Sequence, residues 1–133
     1  MSNNTMATAK ELSFGTELEY TGISRERAAK AIHSVVGGSV RYTGGAYDTW
    51  RVFAPDGREW KAVSDGSLGS CATSAEVVTP ILKWEDLETL QAVVRELRKA
   101  GAKTPECTSQ HVHVGVSEFS ARQIANLARI FYK

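Results

Sequence analysis

From Leu12 to Thr21 apolar and polar residues alternate, with Phe14, Leu18 and Tyr20 on one side of the period and Glu17 and Glu19 on the other. A period of two is that of a strand with one buried face. The period then lengthens. Ser24 stands where a helix cap belongs, Ala28, Ile32, Val35 and Val36 fall on one face at helical spacing, and Gly37-Gly38 closes the segment. Val40 to Thr43 reads as a short strand. Asp48 to Phe53 and Arg58 to Val63 form a hairpin around Pro55-Asp56-Gly57, a strong turn signal. A polar loop follows from Asp65 to Ser74, then a strand from Ala75 to Thr79 stopped by Pro80. Trp84 to Ala100 carries the clearest helical stripe, Leu87, Leu90, Val93, Val94 and Leu97, with Gly101 as its stop. Gln110 to Val116 is a last strand. Ser120 caps a final helix whose inner face is expected to hold Ile124, Leu127 and Ile130 or Phe131. Strands without strict βαβ alternation, interrupted by a few amphipathic helices, predict an α+β fold: a mostly antiparallel, twisted sheet with helices packed on one face.

The chain of 133 residues suits one domain, placed at residues 11–133 behind a polar lead-in at 1–10 that is expected to be disordered. No apolar run approaches the roughly 20 residues of a spanning helix, and the amino terminus lacks a signal core, so no membrane role and a cytoplasmic location are expected. Sixteen Lys and Arg balance fifteen Asp and Glu, and no basic run concentrates the charge; nothing calls for nucleic acid. Cys71 and Cys107 form no CxxC pair and no disulfide framework.

Alternation sorts the polar residues as well as the apolar ones. Val77 points away from Glu76; Val112, Val114 and Val116 share one side of their strand, and His111, His113 and Gly115 share the other. If these strands belong to one sheet, its apolar side meets the helices and its other side gathers Glu17, Glu19, Glu76, His111 and His113. Neighbouring carboxylates repel unless a cation lies between them, and carboxylate oxygens with imidazoles suit Mg²⁺ or Mn²⁺ better than zinc. The bland alternative is a solvated ExE face beside an HxH with only a structural role.

The ordered motifs FGTELE, Trp60 followed by Asp65-Gly66-Ser67, EVVTP, LRKAGAK and HVHVG resemble the amidoligase family, carboxylate–amine ligases distantly related to glutamine synthetase and glutamate–cysteine ligase. The resemblance runs from about Phe14 to Tyr132. It implies a glutamine-synthetase-like half-barrel whose concave face binds ATP and Mg²⁺ or Mn²⁺, and a reaction joining a small-molecule or peptide carboxylate to an amine. It also implies that Glu17, Glu19 and Glu76 hold metal, that His111 and His113 are catalytic residues near the activated group, and that Asp65, Gly66 and Ser67 make a turn near the substrate. Members of the family run on beyond the position of Lys133, so the resemblance covers an N-terminal half, expected to be incomplete alone; the further part would bring another acid and arginines for phosphate and substrate.

Two other readings compete. One is a short non-catalytic descendant, a phage-type inhibitor of the anti-CRISPR kind, that binds a protein of a host defence complex. The other is a small zinc module using Cys71, Cys107, His111 and His113. An exposed sheet edge would also favour a homodimer.

Overall fold

A computed structural model describes residues 9–64 and 75–132. The lead-in to residue 8 and the loop 65–74, with Asp65, Gly66, Ser67 and Cys71, lie outside the described residues. Strand β1 (Phe14–Tyr20) leads to helix α1 (Arg25–Val36), strands β2 (Ser39–Gly44), β3 (Thr49–Phe53), β4 (Glu59–Val63) and β5 (Ala75–Val78), helix α2 (Leu87–Lys99), strand β6 (Gln110–Val114) and helix α3 (Ala121–Phe131). The described strands make one sheet in the order β2-β3-β4-β5-β1-β6, with every neighbouring pair antiparallel. The α+β reading and the antiparallel sheet are therefore present, as an open sheet.

Local chemistry explains the boundaries. The Ser24 hydroxyl accepts from the Arg27 N–H at 3.2 Å and starts α1; the Gly37 N–H donates to His33 O at 2.8 Å and ends it. Gly38 follows with φ +84°, and a Cβ there would lie 1.9 Å from the Phe53 carbonyl oxygen. Only glycine lets the chain turn from helix into β2 this close to β3. Helix α2 starts three residues after the expected Trp84, at Leu87, the first residue of its apolar stripe. Trp84–Asp86 form a 3₁₀ turn, and the Asp86 carboxylate accepts from the Lys83 N–H at 2.8 Å, so the regular helix begins at Leu87. Arg58 grips the same carboxylate with two bonds of 2.8 and 2.9 Å, tying the β3–β4 turn to the start of α2.

The core forms where the apolar faces meet. Ala28, Ala29, Ala31 and Ile32 of α1 and Val93 and Leu97 of α2 pack with Tyr20, Val52, Trp60, Ala62 and Val77 of the sheet. Helix α1 lies over β2, β3 and β4, and α2 packs beside α1. Phe14 and Leu18 join the edge of this cluster, as their side of the alternation requires.

One expectation fails. Helix α3 begins where predicted, with Ser120 and Gln123 capping each other, but none of its described residues is buried. Ile130 is 70% exposed and Phe131 81%. Val112 and Val114, on the helix side of edge strand β6, are exposed too, as is Val116 beyond the strand's end. Among the described residues the helical layer is centred over β2–β4 and stops short of β6, and no other described element covers the apolar residues of β6 and α3. No helix among the described residues is long and apolar enough to cross a membrane.

Candidate functional site on the open face of the sheet

Antiparallel partners point to the same side, so the register decides which side chains meet. Glu17 pairs with His111 on one flank and Val78 on the other; Gly15 pairs with His113; Glu19 pairs with Glu76. All five predicted carboxylates and imidazoles thus fall on the side of the sheet opposite the helices, on the adjacent strands β5, β1 and β6. The roles assigned to them are a separate matter, as is Asp65-Gly66-Ser67, which lies outside the described residues.

Glu17 bridges the two imidazoles. His111 Nδ1–H donates to Glu17 Oε2 at 3.0 Å, and His113 Nε2 lies 3.3 Å from Glu17 Oε1. The His111 hydrogen bond holds the Glu17 carboxyl below its usual range; partial burial opposes this, and the hydrogen bond and charge of His113 add to it. The same bond raises the His111 imidazole; desolvation opposes it, and the charges of Glu19, Glu17 and Glu76 reinforce it. The backbone keeps this pair in place: the Thr16 hydroxyl donates to His111 O at 2.7 Å, and Gln110 Nε2 donates to the Thr16 hydroxyl at 3.2 Å.

Glu19 is only 6% exposed and faces Glu76 across the ladder. Its Oε2 accepts from the Ser109 N–H at 2.7 Å, and its Oε1 is 4.0 Å from His111 Nε2. Burying a carboxylate is costly unless hydrogen bonds or a cation compensate. Another carboxylate directly opposite adds repulsion.

By donor chemistry Glu17, Glu19 and Glu76 fit a hard divalent ion. As the side chains stand, however, no group of three His, Cys, Asp or Glu among the described residues converges into a ready ligand set. Glu17 is engaged with both histidines instead. The zinc reading finds no such group either; Cys107 is a free, exposed thiol.

Beside Glu17 and His113 an open cleft of about 300 Å³ is lined also by Gly15, Thr16, Val78 and Thr79. At its rim Gly115 lies beside Ser13, just before β1; a Cβ there would come 2.3 Å from Ser13 Oγ unless that hydroxyl turned aside.

Sequence reading missed half of this face. The register continues the row His111, Glu17, Val78 into Lys61, Arg51 and Arg41. The signal was present: Arg51 sits between Trp50 and Val52, and Lys61 between Trp60 and Ala62, the same in/out rule that singled out the acids. Ser109 escaped notice because its backbone, not its side chain, meets Glu19.

The features above define an α+β protein whose described strands form one antiparallel sheet, covered by helices on one face and presenting carboxylates, imidazoles and cations on the other. A family model with the description "putative amidoligase enzyme" matches residues 10–133, every described strand and helix included. The chain belongs to this amidoligase family, in agreement with the resemblance carried by FGTELE, EVVTP and HVHVG. No curated protein and no solved structure was found to match it.

Proposed function

We infer that the open face carries an ATP- and Mg²⁺-dependent carboxylate–amine ligase site, with Mn²⁺ as the alternative ion. One observation carries this reading: Glu17, Glu19, Glu76, His111 and His113, drawn from three distant stretches, lie side by side on the helix-free side of β5, β1 and β6. In the reaction, the γ-phosphoryl group of ATP passes to an oxygen of the substrate carboxylate, giving an acyl phosphate and ADP. The amine nitrogen then bonds to the acyl carbon, inorganic phosphate leaves, and the nitrogen gives up a proton as the amide forms. Glu17, Glu19 and Glu76 are the residues that would hold a divalent ion, which would supply charge screening between phosphate and carboxylate.

The chain's own side chains do the rest. His111, kept protonated by Glu17 over a wider pH range than a free imidazole, offers positive charge to an incoming anion. His113 borders the cleft, where it can bind the acyl phosphate oxygens or take the amine proton. By the family resemblance, Asp65, Gly66 and Ser67 serve the substrate. A calorimetric titration with a non-hydrolysable ATP analogue tests the reading: binding that requires Mg²⁺ and disappears in Glu76→Gln is expected. Binding that ignores Mg²⁺, or survives the substitution unchanged, contradicts it.

Non-catalytic binding to another protein is the second reading. The observation in its favour is the uncovered apolar surface of β6 and α3, including Val112, Val114, Ile130 and Phe131.

A further inference from the structure

Arg41, Arg51 and Lys61 stand directly opposite one another on β2, β3 and β4, so three like charges fill consecutive positions of one row. Like charges in opposed cross-strand positions destabilise a sheet. Nearby, Glu59 lies 2.5 Å from Arg51 Nη1 and 3.4 Å from Lys61 Nζ. That carboxylate meets two of the three cations, so Glu59 and the row together carry an excess of two positive charges. Arg51 is also oriented: its Nε–H donates to Thr43 Oγ1 at 3.0 Å. A guanidinium has five N–H groups. Two are used here, and three point to no partner among the described residues. Arg41 spreads over the Phe53 ring, 5.4 Å from its centroid, and forms no ion pair among them.

The row does not end at Lys61. Val78 comes next, then Glu17 and His111. Neighbouring strands are about 4.8 Å apart, so the cationic columns begin roughly 10 Å from the column of Glu17. One face therefore has a carboxylate–imidazole half and a guanidinium–ammonium half, with an apolar residue between them.

We propose that Arg41, Arg51 and Lys61 form an anion subsite that holds a phosphate or carboxylate group of a ligand lying across the sheet. A fixed guanidinium fork with spare donors matches the paired oxygens of either group, and the ammonium adds a point charge. The neutralising Glu59 is the internal competitor that the ligand's anion displaces. This subsite deepens the ligase reading, in which one reactant or the nucleotide must be anchored while its other end sits over Glu17, Glu19 and Glu76. It nevertheless makes its own claim, because it requires no metal.

The test is an NMR titration of the isotope-labelled chain, without Mg²⁺, using inorganic tripolyphosphate in one arm and tricarballylate in the other. Saturable movement of the Arg51 and Arg41 Nε–H signals is expected. The preferred probe assigns the source: tripolyphosphate for a phosphoryl group, tricarballylate for a carboxylate. Affinity should fall roughly tenfold in Lys61→Gln and rise several-fold in Glu59→Gln, a pair of opposite effects that loss of folding does not produce. Arg41→Gln, at an exposed edge position, should weaken binding in the same direction as Lys61→Gln. Arginine signals that do not move, or affinities unchanged by Lys61→Gln and Glu59→Gln, overturn the subsite. Because these measurements contain no Mg²⁺, they can fail while Mg²⁺-dependent nucleotide binding succeeds, and the reverse.

Discussion

Glu17 takes part in two imidazole contacts at once, and its charge and that of His111 depend on each other. His111 is raised from an ordinary value of 6.5, so its share of the pair's stabilisation is complete below that pH and is lost as pH rises through the raised value. Glu17 is lowered from an ordinary value of 4.5, so its share is complete above that pH and is lost as pH falls through the lowered value. The pair therefore contributes most between about pH 4.5 and 6.5. Its removal by His111→Ala should lower the melting temperature most in that window and least at either extreme. In Glu17→Gln, the NMR titration of His111 should move down toward the ordinary imidazole range; an unmoved titration would mean that Glu17 does not set it.

At this scale the acids and histidines were legible because ELE and HVH obey a period of two. Arg51 and Lys61 obey it as well, but a charge within an apolar-flanked hairpin looks like a solvated face until the register aligns it with its neighbours. Which residues pair across strands depends on long-range topology, and no local pattern encodes it.

Among the elements, the turn from α1 into β2 shows how much backbone chemistry a short motif carries. Gly37 and Gly38 read as a helix stop, and they are one, but Gly38 has the further duty of passing beside the Phe53 carbonyl at positive φ. Gly38→Ala should cost roughly 2–3 kcal/mol, because the new Cβ meets both strain and backbone. Urea denaturation reads this as a lower midpoint at an unchanged slope; an unchanged midpoint would show that the turn can relax.

Strand and helix positions were largely legible, since each has a clear period and chemical boundaries. The start of α2 was not, because Asp86 receives the Lys83 N–H and the Arg58 fork. The stripe on α3 shows that a face is apolar. It does not say what covers that face, and nothing in the described fold does.

Across the whole molecule, the helical layer and the open face divide the labour: one side holds the sheet together, the other gathers charge. This division makes α3 energetically peripheral. The double substitution Leu127→Ala with Ile130→Ala should change stability by no more than about 0.5 kcal/mol. Leu97→Ala in the core should cost about 2–5 kcal/mol. Equal losses in chemical denaturation would mean that α3 is covered in solution.

The most direct measurement of the central claim, a divalent ion and a nucleotide on the open face, is thermal unfolding with Mg²⁺ and a non-hydrolysable ATP analogue. A ligand of the native state at a hundred times its Kd stabilises by about 2.7 kcal/mol. The wild-type chain should show a rise of this order that needs both components, and Glu17→Gln, a near-isosteric change at a half-buried position of the open face, should abolish it while the chain still folds. No rise in the wild type, or the same rise in the variant, would contradict the account.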